Sequence, residues 1–142
     1  IDVNPATRFL ATMNYGYAGT RELNEALASR FVIISMPQIS RENLEKLLQH
    51  TFPSLKPKWM EQFALLFEDL RKKAEAAEIS QRAVDLRGFL DAIRLMQNGL
   101  APAEALEMGI TNKSFDSCER RLISDVIQSR IPESLENRNL FG

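Results

Sequence analysis

The stretch that most constrains this chain is residues 57–70, PKWMEQFALLFEDL, in which Trp59, Met60, Phe63, Leu66, Phe67 and Leu70 recur at the spacing of one helix face. Pro57 suits the first helical position, because the N–H it lacks is one that a helix leaves unpaired anyway. So wide an apolar stripe needs other apolar helices to cover it, and the sequence supplies them. Ser40 is an N-cap for a helix that uses Leu44, Leu47 and Leu48 and stops near Pro53. Asp85 caps a helix on Leu86, Phe89, Leu90, Ile93 and Met96 that ends at Asn98-Gly99. A short helix opens at Pro102 and stops at Gly109, and a last one is expected on Phe115, Cys118, Leu122, Val126 and Ile127. Residues 132–142 read as a polar tail. Trp59 and the Phe63/Phe67 pair are read as packing, and Cys118 as a small apolar residue on a helix face.

The first 37 positions are patterned differently. RFLATM (8–13) and FVIISM (31–36) are short apolar runs bounded by Asn14-Tyr15-Gly16 and by Pro37, the pattern of buried strands. Between them, Leu23, Ala26 and Leu27 have helical spacing. Strand, helix and strand imply a parallel pair, and a two-stranded parallel sheet does not stand alone. The expected fold class is therefore mostly α. A remnant of an α/β core with two short parallel-type strands and a helix occupies 1–37, an all-helical bundle 38–131, and the tail 132–142.

Composition narrows function. With 142 residues the chain can bury a core without staples, and its 44% hydrophobic and 26% charged residues are ordinary for a globular domain. No apolar run approaches the roughly 20 residues that span a bilayer, so no membrane partner is expected. The net charge is −1 and basic residues cluster only at Arg71, Lys72 and Lys73, which disfavours nucleic acid. Cys118 and His50 are the sole cysteine and histidine, leaving no internal disulfide and no Cys/His metal set. A cytoplasmic origin fits this usage, and the start at Ile1 suggests a chain cut from something longer.

The run FLATMNYGYAGTRELNEALASRF resembles the second half of the nucleotide-binding core of AAA+ ATPases, in the branch of dynein-related ATPases, midasin and the MoxR, NorQ and CbbQ chaperone ATPases. In such proteins an Asn ends the fourth core strand, a helix leads to an Arg before the fifth, and a helical lid follows. By that resemblance Asn14 is the sensor-1 residue that positions the attacking water, and Arg30 is an arginine finger acting on the nucleotide of a neighbouring protomer. Read from the residues alone, Asn14 is an ordinary turn residue and Arg30 a surface cation complementing a helix C-terminus. Tyr15, Gly16, Tyr17 and Gly19 shape the loop after sensor 1.

A sensor-2 arginine, which in the family reaches the phosphates from the lid, falls on Arg87 in DLRGFLDAIRLMQNGL or on Arg82 in SQRA. Exposed helix arginines with no such role are the plainer reading of either. The family's first half is absent. No G-x-x-x-x-G-K-[ST] loop occurs, and ALLFEDL (64–70) has helical periodicity where a Walker B strand would be needed, so Glu68 and Asp69 are read as a solvated face.

The resemblance implies the carboxyl-terminal portion of an ATPase module that works with ATP and Mg2+ in a ring, commonly a hexamer, and remodels client proteins. A von Willebrand A-domain protein is an implied partner. The chain by itself is expected to hold no nucleotide, metal or activity. The competing expectation is a stand-alone helical interaction module. DNA-directed or GTP-using motors of the same branch are disfavoured by the GYAG turn and the lack of a basic face.

Overall fold

The computed structural model describes residues 2–13 and 24–142. The chain divides into two units, Ile1–Pro37 and Gln38–Gly142.

In the first unit, the described residues hold a turn at Asn4, whose side chain accepts the Ala6 N–H, and one short helix, α1 (Glu25–Ala28), capped by Asn24. The stretches 8–13 and 31–36 form no strand among the described residues. A strand is stabilised by neighbours that take up its backbone N–H and C=O groups and cover its side chains. Here Leu10 is 97% and Val32 92% exposed, and Ile34 and Met36 are also exposed.

The second unit is an all-helical bundle. Its helices are α2 (Arg41–Thr51), α3 (Pro57–Glu75), α4 (Leu86–Gln97), α5 (Pro102–Gly109), α6 (Ser117–Arg130) and α7 (Asn137–Leu140), with 3-10 turns at Gln81–Val84 and Thr111–Lys113. The starts follow local chemistry. Ser40 Oγ accepts the Asn43 N–H at 3.3 Å, and Pro57 and Pro102 open α3 and α5. Asp85 and Asp116 cap α4 and α6.

The predicted face of α3 is the core, with Phe63, Leu66, Phe67 and Leu70 buried and Trp59 and Met60 half-buried at its margin. Phe89 of α4 meets Phe63 edge-on at 6.1 Å and Phe67 at 5.1 Å. α3 packs against α2 and α6, and α4 against α5. The α4–α5 contact needs glycine on both sides, because a Cβ on Gly88 would lie 2.5 Å from the Gly109 carbonyl oxygen and one on Gly109 would lie 2.6 Å from that of Gly88.

Two expectations for the bundle are corrected. Of the stripe expected on the last helix, Ile127 is buried and Val126 half-buried, but Cys118 and Leu122 are exposed, Phe115 lies before α6 and is exposed, and Ile123 takes the inward place. Residues 132–142 are not a free polar tail. Leu135 and Leu140 are buried, and Leu55 and Phe141 form an antiparallel bridge flanked by Lys56 N–H to Leu140 O at 2.9 Å and Gly142 N–H to Ser54 O at 2.8 Å.

Candidate functional site

Asn14 and the Tyr15, Gly16, Tyr17, Gly19 turn lie outside the described residues. Arg30, in the first unit, is exposed, and its guanidinium donates to the Ala26 carbonyl of α1. That geometry complements the electronegative C-terminal end of the short helix. In the second unit the structure puts Arg82 and Arg87 on one continuous arm, residues 80–88. Ser80 precedes the 3-10 turn that carries Arg82, and Asp85 caps α4, whose first turn carries Arg87.

The 3-10 turn of this arm packs on α3 and its Gly88 end on α5, while residues 113–119 supply the polar contacts to it from outside. Lys113 donates to Asp85 Oδ2, while Asp85 Oδ1 accepts the Arg87 N–H at 3.0 Å. Burial pushes the Asp85 carboxyl up, but the Lys113 hydrogen bond and charge, with the Arg87 and Gly88 N–H groups, outweigh it and hold the acid below its ordinary range. The Arg82 guanidinium carbon sits 5.5 Å from the centre of the Phe115 ring, a cation–π contact worth about 0.5–1 kcal/mol at an exposed site.

Glu119 provides the remaining tie. Its Oε1 accepts the Ser80 backbone N–H at 2.7 Å. Burial pushes its pKa up, but the Ser80 N–H and then the Arg82 charge outweigh it and hold the carboxyl below its ordinary range. The Ser80 and Ser114 hydroxyls are buried beside it without a partner in hydrogen-bonding geometry among the described residues, so the Ser80 N–H carries the contact.

Both arginines are exposed, but the Arg82 guanidinium lies over the Phe115 ring, whereas that of Arg87 makes no ion pair or hydrogen bond among the described residues. Lys113 and Glu119 escaped the sequence reading, and Phe115 was expected only as part of a helix face. Glu119 carried a local signal, since Asp116-x-x-Glu119 has capping-box spacing, which turns the Glu back onto its own cap. The structure sends the carboxylate across to Ser80.

Elsewhere, the 64–70 stretch lies within α3. Glu68 pairs with Lys72 at 3.1 Å, but Asp69 bonds Arg130 of α6 at 2.8 Å, so it is an inter-helix tie and not part of a solvated face. An open depression between α2 and α3 is lined by Leu55, Met60, Glu42, Glu45 and Glu61. Its carboxylates are already paired with Arg41 and Lys46. Among the described residues no cluster of His, Cys, Asp and Glu is placed to hold a metal ion, and no helix is long and apolar enough to cross a membrane.

No protein-family model matches the chain, and no solved structure matches it. Among curated proteins it is 33% identical over 120 residues to the uncharacterized protein YojN of Bacillus subtilis (strain 168), a match covering 84% of this chain and 39% of that protein. It is 31% identical over 125 residues to an uncharacterized protein of Staphylococcus aureus (strain NCTC 8325), covering 87% of this chain and 47% of the relative. The chain thus spans less than half the length of the curated relatives it matches, and the matched region is a part of a larger protein in each.

Proposed function

We propose that this chain is the sensor and lid portion of a AAA+ ATPase module of the dynein-related, MoxR and NorQ-like branch, acting with neighbouring protomers in a ring to remodel client proteins. The observation that carries the reading is Arg87, an exposed cation on the first turn of a capped helix, on an arm anchored by Asp85, Lys113 and Glu119. An always-charged, planar guanidinium on a fixed support suits phosphate oxygens. The chain supplies arginines that fit such oxygens and no phosphate loop to cradle them. ATP bound with Mg2+ would be held chiefly by residues beyond this sequence. Arg87 fits the sensor-2 role better than Arg82, whose guanidinium is already stacked near the Phe115 ring. Asn14 and Arg30 take the sensor-1 and arginine-finger roles by resemblance.

The test is ATP hydrolysis by the full-length gene product that bears this region. Arg30→Ala is expected to lower kcat by about 10³-fold or more, as loss of such fingers does in other NTPases. Mixing it with a phosphate-loop variant restores part of the activity if the finger acts in trans. Undiminished turnover in a ring of Arg30→Ala subunits removes the assignment, and a full-length product without nucleotide hydrolysis removes the ATPase reading.

A second reading, a helical interaction module, is favoured by one observation: Phe115, just before α6, is 87% exposed, and Cys118 and Leu122 on α6 are exposed as well. It is distinguished by the same assay, since a module of that kind has no turnover to lose.

A further inference from the structure

Packing fixes most of the arm 80–88, with Ala83 buried, the 3-10 turn on α3 and Gly88 on α5, but the backbone at its start has no cap within the arm. Its 3-10 turn is one short element with no side-chain cap of its own, and short 3-10 pieces have poorer hydrogen-bond geometry than α-helix. The unpaired N–H of Ser80 at its start is taken by Glu119, 39 positions away in sequence and on a different helix. Asp116 caps α6 by accepting the Glu119 N–H at 2.8 Å, so the backbone beneath this carboxylate is itself fixed. The Arg82 charge faces Glu119 from the arm, Asp116 lies on its own helix, and Lys113 is already paired with Asp85.

We propose that Glu119 is a positioning residue: its carboxylate, by holding the Ser80 N–H, sets the direction in which the arm presents Arg87 to phosphate. The phosphate half of this statement rests on the ATPase reading above. The holding half stands on the structure of this chain. An ionised acceptor makes a shorter and stronger bond to an N–H than a neutral one does, roughly twice as strong. The arm is therefore most firmly held while Glu119 is charged. A neutral carboxamide keeps the shape and loses the charge, which separates holding by charge from simple packing.

The first measurement follows the Ser80 amide proton by NMR in the intact chain while pH is lowered. Its resonance is expected to move upfield with one carboxyl titration, centred below the ordinary glutamate value of 4.5, and to be flat with pH in Glu119→Gln. A Ser80 amide that does not titrate in the unmodified chain, or titrates equally in the variant, overturns the proposal. Hydrogen exchange supplies a second check. Glu119→Ala is expected to speed exchange at residues 80–88 at least ten-fold with the amides of α3 unchanged, and equal exchange in the arm overturns it.

The functional arm uses the full-length gene product. Glu119→Gln is expected to raise the KM for ATP several-fold with a smaller change in kcat. In an Arg87→Ala background the same substitution is expected to add nothing, because the two act as one unit. Additive effects overturn the link to Arg87 while leaving the NMR result to decide the hold on Ser80. An unmodified product without ATPase activity overturns the phosphate half alone.

Discussion

Trp59 donates its indole N–H to the backbone carbonyl of Asn139 at 2.9 Å, joining the head of α3 to a segment 80 positions later. Lys56 reaches the Arg138 and Asn139 carbonyls from the same side at 3.3 and 3.2 Å. Asn137 donates to the Leu100 carbonyl at 2.8 Å, so the last residues tie the α2–α3 and α4–α5 connections together. Removal of residues 137–142 is expected to cost about 1.5–3 kcal/mol for Leu140 alone, which is fully buried. Trp59 is the sole tryptophan. Its emission should shift to the red on truncation, and urea unfolding followed at that wavelength gives the loss. Trp59→Phe should cost about 1 kcal/mol, since the carbonyl it leaves can turn to water.

The α4–α5 crossing sets two effects of opposite sign against each other. Gly88→Ala gains up to about 1 kcal/mol of helix propensity. It also forces a methyl to 2.5 Å from a backbone oxygen of α5, which cannot swing aside as a side-chain end can. Overpacking of this kind costs about 1–3 kcal/mol. The net expectation is destabilisation, read as a lower Tm, and a variant as stable as the parent would mean that the two helices part without cost.

Ala77 is a non-glycine residue with a positive φ, 57°, just past the end of α3, where Glu78 N–H closes on Lys73 O at 3.0 Å. α4 ends similarly with Gly99 at φ 104°, and Leu100 N–H on Leu95 O. A left-handed conformation costs an L-residue about 1–2 kcal/mol. Glycine removes that cost and returns about 0.4–1 kcal/mol through the freer unfolded chain. Ala77→Gly is therefore expected to stabilise the bundle by about 0.5–1 kcal/mol in denaturant titration.

Asp85 makes stability depend on pH. Its folded pKa lies below the ordinary 3.8, so its contribution is fully present above that value and is lost as pH falls through the folded pKa. Asp85→Asn keeps a capping side chain and removes the charge. The stability difference between parent and variant should be constant near neutral pH and shrink from pH 3.8 downward. A difference that persists unchanged into acid would assign the effect to shape. Asp85→Ala, which loses the cap as well, should cost about 1 kcal/mol beyond the Asn variant.

Local chemistry made much of the bundle legible. Ser40, Pro57, Asp85, Pro102 and Asn98-Gly99 mark helix ends because each supplies or removes a backbone hydrogen bond within a few residues of itself, and the structure uses each one there. The α3 face was readable because its stripe is continuous over several turns. The α6 face was not. Phe115, Cys118 and Leu122 have helical spacing as good as that of Ile123 and Ile127, and only contact with α3 selects between them.

By itself, then, the sequence determined where helices start and stop and that an apolar face on α3 must be covered, since these depend on interactions short in sequence. Tertiary structure decided what meets across long separations. Residues 132–142 are polar on average, yet Leu135 and Leu140 are buried, and residues 139–142 are held beside Leu55 and Trp59 by backbone bonds that no local pattern announces. Asp69 bonds Arg130 although Glu68, its neighbour, stays with Lys72. Glu119 has the spacing of a local cap and instead takes the Ser80 N–H, because the packed bundle brings that unpaired donor to it. The runs at 8–13 and 31–36 are apolar enough for strands, but strand formation depends on neighbours to accept their backbone hydrogen bonds, and the described residues provide none.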